Sequence, residues 1–273
     1  MLTRRSFFPL LCAAVFALTP ISAYAEEPSA LPNAHAHNDY EHTRPLLDAL
    51  DQGFCSVEAD IHLVDGELLV AHDRNQVKPG RTLRALYLDP LRARARRNGG
   101  RIYQDAPGFF LLIDVKSEAK STYAALRKVL EQYSDILTEF RSDGVRRKAV
   151  TVVVSGGRDI ETMKAEKRRF GGIDGRLGDL DSGFPPSVFP WISDSWPGSF
   201  RWNGEGEFPE EERKRLVEIV RKAHQRGYLV RFWGAPNTEA IWRVQREAGV
   251  DLLNADDLPG MRRFLLESPA KRP

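Results

Sequence analysis

Short apolar stretches recur along the chain and are separated by amphipathic ones. Eight of them are rich in β-branched and aromatic residues and have the length of strands. The predicted strands are Leu31–Asn38, Cys55–Leu63, Phe109–Lys116, Ala149–Ser155, Gly172–Arg176, Val188–Asp194, Tyr228–Trp233 and Val250–Ala255.

Most of these strands are joined by segments with the apolar spacing of helices. The predicted helices are Thr43–Gln52, Leu83–Arg97, Ser121–Phe140, Asp159–Phe170, Pro209–Arg226 and Asn237–Ala248. Strands that alternate with long helices indicate a parallel sheet, and eight such units have the size of a (β/α)8 TIM barrel. The Gly-, Pro- and Trp-rich segment 171–208 shows no clear helix, and we expect irregular loops there that cover a site.

The first 25 residues have the pattern of an export signal. Arg4 and Arg5 precede an apolar stretch and the small-residue sequence Ala23-Tyr24-Ala25, which is typical of a cleavable secretory peptide. The adjacent arginines fit either the general secretory or the twin-arginine route. We therefore expect a signal peptide over 1–25, one domain over 26–273, and a periplasmic or secreted protein without a stable membrane anchor after cleavage.

Composition narrows the possible functions. The 273 residues are 42% hydrophobic and carry a formal net charge of +2, which excludes wholesale disorder and does not favour a nucleic-acid partner. Loss of Arg4 and Arg5 would remove even that charge. Only Cys55 would remain after cleavage, so the mature chain could form no internal disulfide.

Ionisable pairs with two-residue spacing occur on the first three predicted strands. They are His35 and His37, Glu58 and Asp60, and Asp114 and Lys116. Residues i and i+2 share one face of a strand, and the carboxyl ends of barrel strands form the catalytic mouth. Glu58, Asp60 and Asp114 would supply three oxygen ligands suited to Mg²⁺ or Ca²⁺. The alternative is a set of buried salt bridges, for example between Lys116 and Asp60.

A hairpin is predicted directly after the second strand. Asp65-Gly66 lies between two apolar runs, and the returning strand would bring His72 back to the mouth. Histidine is suited to proton transfer near neutral pH, so His72 could protonate a leaving group while a histidine of the first strand accepts a proton.

These segments resemble a known superfamily of phosphodiesterases. HAHNDYEHTRPLLDALDQG, SVEADIHLVDGELLVAHD, LLIDVKS and GVDLLNADDL are similar to the glycerophosphodiester phosphodiesterase and phosphatidylinositol phospholipase C-like superfamily. The match is nearest to the branch related to altered inheritance of mitochondria protein 6. The resemblance implies a TIM barrel of the phospholipase C-like type and a divalent metal.

The resemblance also implies residue roles. The metal carboxylates would be Glu58, Asp60 and Asp114, and the general acid His72. The second catalytic histidine would be His37 or His35, with His37 the first choice because it directly precedes Asn38-Asp39, nearer the strand end. Lys116 would contact phosphate. Asn38 stands where typical glycerophosphodiesterases have a phosphate-binding arginine, so Asn38 is a substrate-binding candidate, and Arg176 or Arg231 could replace that arginine or form internal ion pairs. Trp233 is a candidate for a choline-like pocket or for core packing, whereas His42, His62 and His224 match no role.

Two other functions fit parts of the pattern. A His-x-His pair on a first barrel strand also occurs in amidohydrolase-type and polymerase–histidinol-phosphatase-type metal sites, but those need histidines on later strands, and 149–202 contains none. The second alternative function is that of an exported barrel that binds a phosphorylated ligand and has no enzymatic activity. The sequence thus predicts a metal-dependent phosphodiester hydrolase for a small-molecule or lipid substrate, such as a glycerophosphodiester or a phospholipid.

Overall fold

The computed structural model describes residues 27–106 and 108–267. Its strands, in chain order, are β1 (Leu31–Ala36), β2 (Phe54–Val64), β3 (Glu67–Val70), β4 (Phe109–Val115), β5 (Glu139–Arg141), β6 (Gly144–Arg146), β7 (Val150–Gly156), β8 (Arg168–Arg169), β9 (Gly171–Gly175), β10 (Trp191–Ser195), β11 (Leu229–Trp233) and β12 (Leu253–Ala255). The signal-peptide prediction falls outside the described residues.

The helices lie mostly between the barrel strands. They are α1 (Leu47–Asp51), α2 (Asp89–Arg97), α3 (Ala119–Glu131), α4 (Ile160–Ala165), α5 (Trp196–Ser199), α6 (Glu210–Gln225), α7 (Glu239–Glu247) and α8 (Leu258–Glu267). A π-helical turn, Arg84–Leu88, precedes α2 directly. Within the described ranges, no helix has the length and apolar character needed to cross a membrane.

Eight strands form a nearly closed parallel barrel, which confirms the predicted fold class. Their order is β11-β10-β9-β7-β4-β2-β1-β12. A parallel bridge between Arg231 and Leu252 draws the two ends of the sheet together. Each of the eight predicted strands overlaps one barrel strand. The predicted hairpin is also present, because β3 pairs antiparallel with β2 across Asp65 and Gly66, both of which have positive φ.

Several predicted helices are shorter than expected. The segment predicted as one helix over Ser121–Phe140 ends at Glu131, and its last residues form β5. The helix predicted over Asp159–Phe170 ends at Ala165, and β8 follows. β5, β6 and β8 form a small separate sheet. Both errors have one cause, since the apolar spacing continues beyond the end of the helix into a short strand that follows it.

Other boundaries also differ from the prediction. The helix expected over Thr43–Gln52 begins only at Leu47, after a loop that carries a 3-10 turn at Asp39–Glu41. Segment 171–208 contains the 3-10 turn Leu177–Asp181 and the single-turn α5, with irregular chain around them. α8 was not predicted.

The barrel interior is apolar at its centre and polar towards the mouth. Leu112, Val153, Trp191 and Leu252 form a small buried layer between the strands. The larger core lies outside the barrel wall, between the strands and the helices. The interior positions nearer the carboxyl ends of the strands carry charged and hydroxyl groups, which concentrates the polar chemistry at one end of the barrel.

Candidate active site

A cleft of about 350 Å³ opens at the carboxyl ends of the barrel strands. Its lining contains nine of the eleven site residues predicted from the sequence: His37, Asn38, Glu58, His72, Asp114, Lys116, Arg176, Arg231 and Trp233. Ser155 and Gly156 complete it. Asp60 and His35 are the two remaining candidates and lie beneath this surface.

Three carboxylates form one cluster at the base of the cleft. Oxygen atoms of Glu58, Asp60 and Asp114 all lie within 4.8 Å of one another. The strand register explains this, because Asp60 of β2 is paired directly with Asp114 of β4 and Glu58 precedes Asp60 by two residues on the same face. Glu58 and Asp60 are buried, with 6% and 1% of their surface exposed.

Gly156 makes room for this cluster. An ideal Cβ at position 156 would lie 1.8 Å from Oδ1 of Asp114, far inside any possible contact. The residue also has a φ of 66°, in the left-handed region that favours glycine. A side chain here would displace the Asp114 carboxylate, so this glycine is part of the site.

The carboxylates are electrostatically crowded. Burial, followed by the negative charge of Glu58, raises the pKa of Asp60 well above its usual range. Burial is likewise the largest cause of the raised pKa of Asp114. Burial acts in the same direction on Glu58, but the Arg231 guanidinium and His35 outweigh it and hold the pKa of Glu58 below its usual range.

The donor set fits a divalent cation. Oδ1 of Asp60 and Oδ1 of Asp114 are buried and accept no hydrogen bond from the described chain. Buried carboxylate oxygens without partners are costly, and a hard cation satisfies several at once. Glu58, Asp60 and Asp114 would hold such an ion, with oxygen chemistry suited to Mg²⁺ or Ca²⁺.

Lys116 lies beside the cluster. Its Nζ is 3.1 Å from Oδ2 of Asp60 and 3.1 Å from Oδ2 of Asp114. Burial acts to lower its pKa, but these two carboxylates raise the pKa of Lys116 overall. The salt bridge weighed from the sequence is therefore present together with the acidic cluster, and the ammonium partly balances the negative charge.

The structure separates the two histidines that the sequence left as alternatives. His37 lines the cleft, and its Nδ1 lies 2.8 Å from Oδ1 of Asp256. His35 has no exposed surface and makes contacts with Ser56 at 2.7 Å and with Glu58 at 3.5 Å. Burial is the main cause that lowers the pKa of His35 to about 4. A neutral, enclosed imidazole cannot reach a substrate, so His35 is better suited to supporting Glu58.

His72 lies across the cleft on the segment that follows β3. Half of its side chain is exposed, and its Nδ1 lies 3.4 Å from Oδ1 of Asp73. Its neighbour Ala71 donates its N–H to the carbonyl of Asp60 at 3.2 Å. His72 and His37 thus come from different strands and both line the cleft that contains Glu58 and Asp114.

The two arginines are both in the cleft and both ion-paired. Arg231 is buried and donates to Oε2 of Glu58 at 3.0 Å and to Oδ1 of Asn254 at 2.8 Å. Arg176 donates to Oδ2 of the fully buried Asp174 at 2.6 Å. The ion pairing expected as one alternative is present, and it fixes each guanidinium at the wall of the cleft.

The remaining candidates lie at the rim. Asn38 has a φ of 49°, and its Oδ1 accepts a hydrogen bond from the Tyr40 hydroxyl at 2.7 Å. Trp233 is 37% exposed, whereas Trp191 and Trp196 are buried and belong to the core. Trp233 therefore lies at the surface of the cleft and not in the core.

Sequence reasoning did not assign some residues that shape the site. Asp256 and Gly156 are two, and Tyr40, whose hydroxyl lies 2.8 Å from Oδ2 of Asp60, is a third. The two-residue spacing of Asn254 and Asp256 was the available signal for Asp256. No comparable signal marks Gly156, because its importance depends on how closely β7 passes Asp114.

The sequence matches a described family. Residues 29–170 match the model of the AIM6-like phosphodiesterase domain. Altered inheritance of mitochondria protein 6 from Eremothecium gossypii is 33% identical over 270 residues, covering 86% of this chain and 69% of that protein. The homologue from Arthroderma benhamiae is 27% identical over 254 residues, covering 82% of this chain and 81% of that protein.

Solved structures share the fold. A glycerophosphodiester phosphodiesterase from Parabacteroides distasonis aligns with a TM-score of 0.50 at 12% identity, covering 88% of this chain and 99% of that one. An Oleispira antarctica phosphodiesterase in complex with the product sn-glycerol-3-phosphate aligns with a TM-score of 0.51 at 15% identity, covering 87% and 98%. At these identities the likeness concerns the fold alone.

Proposed function

This chain belongs to the AIM6-like phosphodiesterase family, and on that premise we propose that it is a metal-dependent phosphodiester hydrolase. The observation that carries the proposal is the juxtaposition of a carboxylate cluster and two histidines from different strands in one cleft. Two proton-transfer groups beside a cation site are what in-line displacement at a phosphodiester requires.

Each residue has a distinct task in this proposal. A divalent cation bound by Glu58, Asp60 and Asp114 would supply positive charge at a non-bridging phosphate oxygen. Because a carboxylate only accepts hydrogen bonds, Asp256 keeps the proton of neutral His37 on Nδ1, so Nε2 is free to take a proton from the attacking hydroxyl. His72 protonates the departing oxygen.

The cationic side chains bind the phosphate and its substituents. Lys116 and Arg176 line the cleft and would contact phosphate oxygens, and Arg176 takes the place of the arginine that Asn38 replaces. Arg231 is buried against Glu58 and mainly balances its charge. The exposed Trp233 ring would contact the alcohol group of the substrate. We propose a glycerophosphodiester or phospholipid-type substrate; the product complex of the Oleispira antarctica phosphodiesterase makes glycerophosphodiesters the first choice to test.

The test uses bis(p-nitrophenyl) phosphate and a glycerophosphodiester panel with Mg²⁺, Ca²⁺ or EDTA, followed by phosphorus NMR. We expect EDTA to abolish hydrolysis and added metal to restore it. His72→Ala and Glu58→Ala should each lower kcat by about 10²-fold or more. The matched controls are His224→Ala and Glu211→Ala, whose side chains lie on α6 away from the cleft, and they should keep wild-type activity. Activity that is insensitive to chelation or to the cleft variants would overturn the proposal.

Export is a separate proposal that rests on residues 1–25 alone. Their basic, apolar and small-residue pattern supports cleavage after Ala25 and a periplasmic or secreted location. N-terminal sequencing of the protein recovered from the periplasm or medium of the native host is the measurement. A mature chain that begins at Glu26 is expected, and an intact N-terminus in the cytoplasm would contradict it.

A further inference from the structure

His62 is a buried histidine at the outer end of β2. It follows Glu58 and Asp60 at two-residue spacing, so it shares their face of the strand. Only 4% of its surface is exposed, and its Nε2 lies 3.1 Å from the carbonyl oxygen of His72. A carbonyl oxygen can only accept a hydrogen bond, so Nε2 of His62 is the donor.

This contact is one of two hydrogen bonds that hold the segment after β3, residues 71–72, to β2. The β2–β3 ladder ends at the pair Ile61 and Val70, after which Ala71 donates its N–H to the carbonyl of Asp60 at 3.2 Å. The His62 hydrogen bond then holds the carbonyl of His72, two peptides further along the chain. The chain at the cleft therefore stays against β2 for two residues beyond Val70, where β3 ends.

The side chain of His72 has little support of its own. It is half exposed, and its nearest charged group is the carboxylate of Asp73 at 3.4 Å, which is itself exposed. The position of the imidazole is therefore set mainly by the backbone from which it projects. Loss of the His62 contact would free the carbonyl of His72 and allow that peptide to rotate.

We propose that His62 is a positioning residue that holds His72 where it can protonate the departing oxygen of the substrate. This inference rests on the proposed function, in which His72 is the general acid. It makes a specific prediction, because the need for a general acid depends on the leaving group. p-Nitrophenolate departs without a proton, whereas the alkoxide of a glycerophosphodiester does not.

The experiment compares the wild type with His62→Leu and His62→Gln on two substrates, bis(p-nitrophenyl) phosphate and glycerophosphocholine. His62→Leu removes the donor, and the amide of His62→Gln can restore it. We expect His62→Leu to lower kcat on both substrates, with the factor at least about tenfold larger on glycerophosphocholine than on the aryl ester. His62→Gln should recover part of that loss. His224→Gln, which changes a histidine paired with Asp251 at the opposite end of the barrel, should affect neither substrate.

An equal loss on both substrates, or no loss, would overturn the positioning role. A wild type that hydrolyses neither ester would overturn the proposed function instead. In that case the geometry is decided by NMR of histidine-labelled protein, in which His62→Leu must shift or broaden the His72 ring signal while His62→Gln preserves it. An unchanged His72 signal in a folded His62→Leu protein would overturn the inference by itself.

Discussion

Nδ1 of His37 lies 2.8 Å from Oδ1 of Asp256, across the carboxyl ends of the neighbouring strands β1 and β12. Asp256 is itself held on both sides by Asn237, which donates to Oδ2 at 2.6 Å and accepts the Asp256 N–H at 3.0 Å. Burial acts to lower the pKa of His37, but the hydrogen bond with Asp256 and the negative charge of Glu58 together outweigh burial and raise that pKa. Asp256 therefore sets the tautomer of His37 and contributes to its raised pKa.

Replacement of Asp256 by Asn should disable His37 as a base. The amide of Asp256→Asn can donate to Nδ1 of His37, which would move the ring proton to Nε2. We expect kcat/KM to fall by about 10²- to 10⁴-fold. The residual activity should have its acid limb at lower pH, because the Asp256 carboxylate no longer contributes to the raised pKa of His37.

The pH profile of kcat/KM is the measurement for Asp256→Asn. Asp251→Asn is the matched control, since Asp251 also pairs with a histidine, His224, but at the far end of the barrel. A variant whose acid limb stays at the wild-type pH would show that Asp256 does not set the pKa of His37.

Gly156 should be required for cation binding. Gly156→Ala places a Cβ against Oδ1 of Asp114 and must displace that carboxylate. We expect affinity for Ca²⁺ or Mg²⁺ to fall by about 10- to 100-fold, which calorimetric titration measures. The control is Gly183→Ala, which has a similar φ of 74° but no atom within 4 Å of the added Cβ. If both variants bind the cation equally well in the folded state, the close approach is not essential.

Lys116 should compete with the bound cation. Its ammonium contacts the same two carboxylates, Asp60 and Asp114, that belong to the cluster. Lys116→Met removes the competing charge, so we expect Ca²⁺ to bind about tenfold more tightly in a calorimetric or luminescent-lanthanide titration, a gain of about 1.4 kcal/mol. KM for the phosphodiester should rise because a phosphate contact is lost.

Lys120→Met, which removes one exposed positive charge from α3, is the control for a general change in net charge. Weaker Ca²⁺ binding by Lys116→Met than by Lys120→Met would mean that Lys116 orders the ligands and does not compete with the ion.

Local spacing is sufficient to predict much of this molecule. The alternation of strand-like and helix-like segments predicts the barrel, and two-residue spacing predicts that Glu58, Asp60 and Asp114 face one another. The barrel register then brings them within 4.8 Å. The same rule places His62 beside Asp60, but it does not indicate what the imidazole would contact.

Contacts between distant parts of the chain could not be predicted in this way. Arg231 and Glu58 are 173 positions apart, and His37 and Asp256 are 219 positions apart. Their pairing depends on the tilt and closure of the barrel, which no local pattern encodes. The preference for His37 over His35 had only the nearness of His37 to the strand end as its basis, since both share a face and only depth in the barrel separates them.

Asp39 is a buried carboxyl group outside the catalytic cluster. It has no exposed surface, and its Oδ2 accepts hydrogen bonds from the Leu46 N–H at 2.6 Å and the Tyr87 hydroxyl at 2.8 Å. Its Oδ1 has no partner within the part of the chain that is described. Burial is the largest cause that raises the pKa of Asp39 to about 7 from the ordinary 3.8.

Replacement of Asp39 by Asn should make the protein more stable at alkaline pH. Because the pKa of Asp39 is higher in the folded than in the unfolded state, Asp39 contributes to the stability of the folded wild type. This contribution is fully present below about pH 4 and is lost as the pH rises through about 7. Asp39→Asn can accept both hydrogen bonds and carries no charge to desolvate. The measurement is the free energy of unfolding in urea at pH 5 and at pH 8. From pH 5 to pH 8, the difference in this free energy between Asp39→Asn and the wild type should shift in favour of the variant by on the order of 2 kcal/mol. A difference between variant and wild type that is the same at both pH values would show that Asp39 ionises as readily in the folded protein as in the unfolded chain.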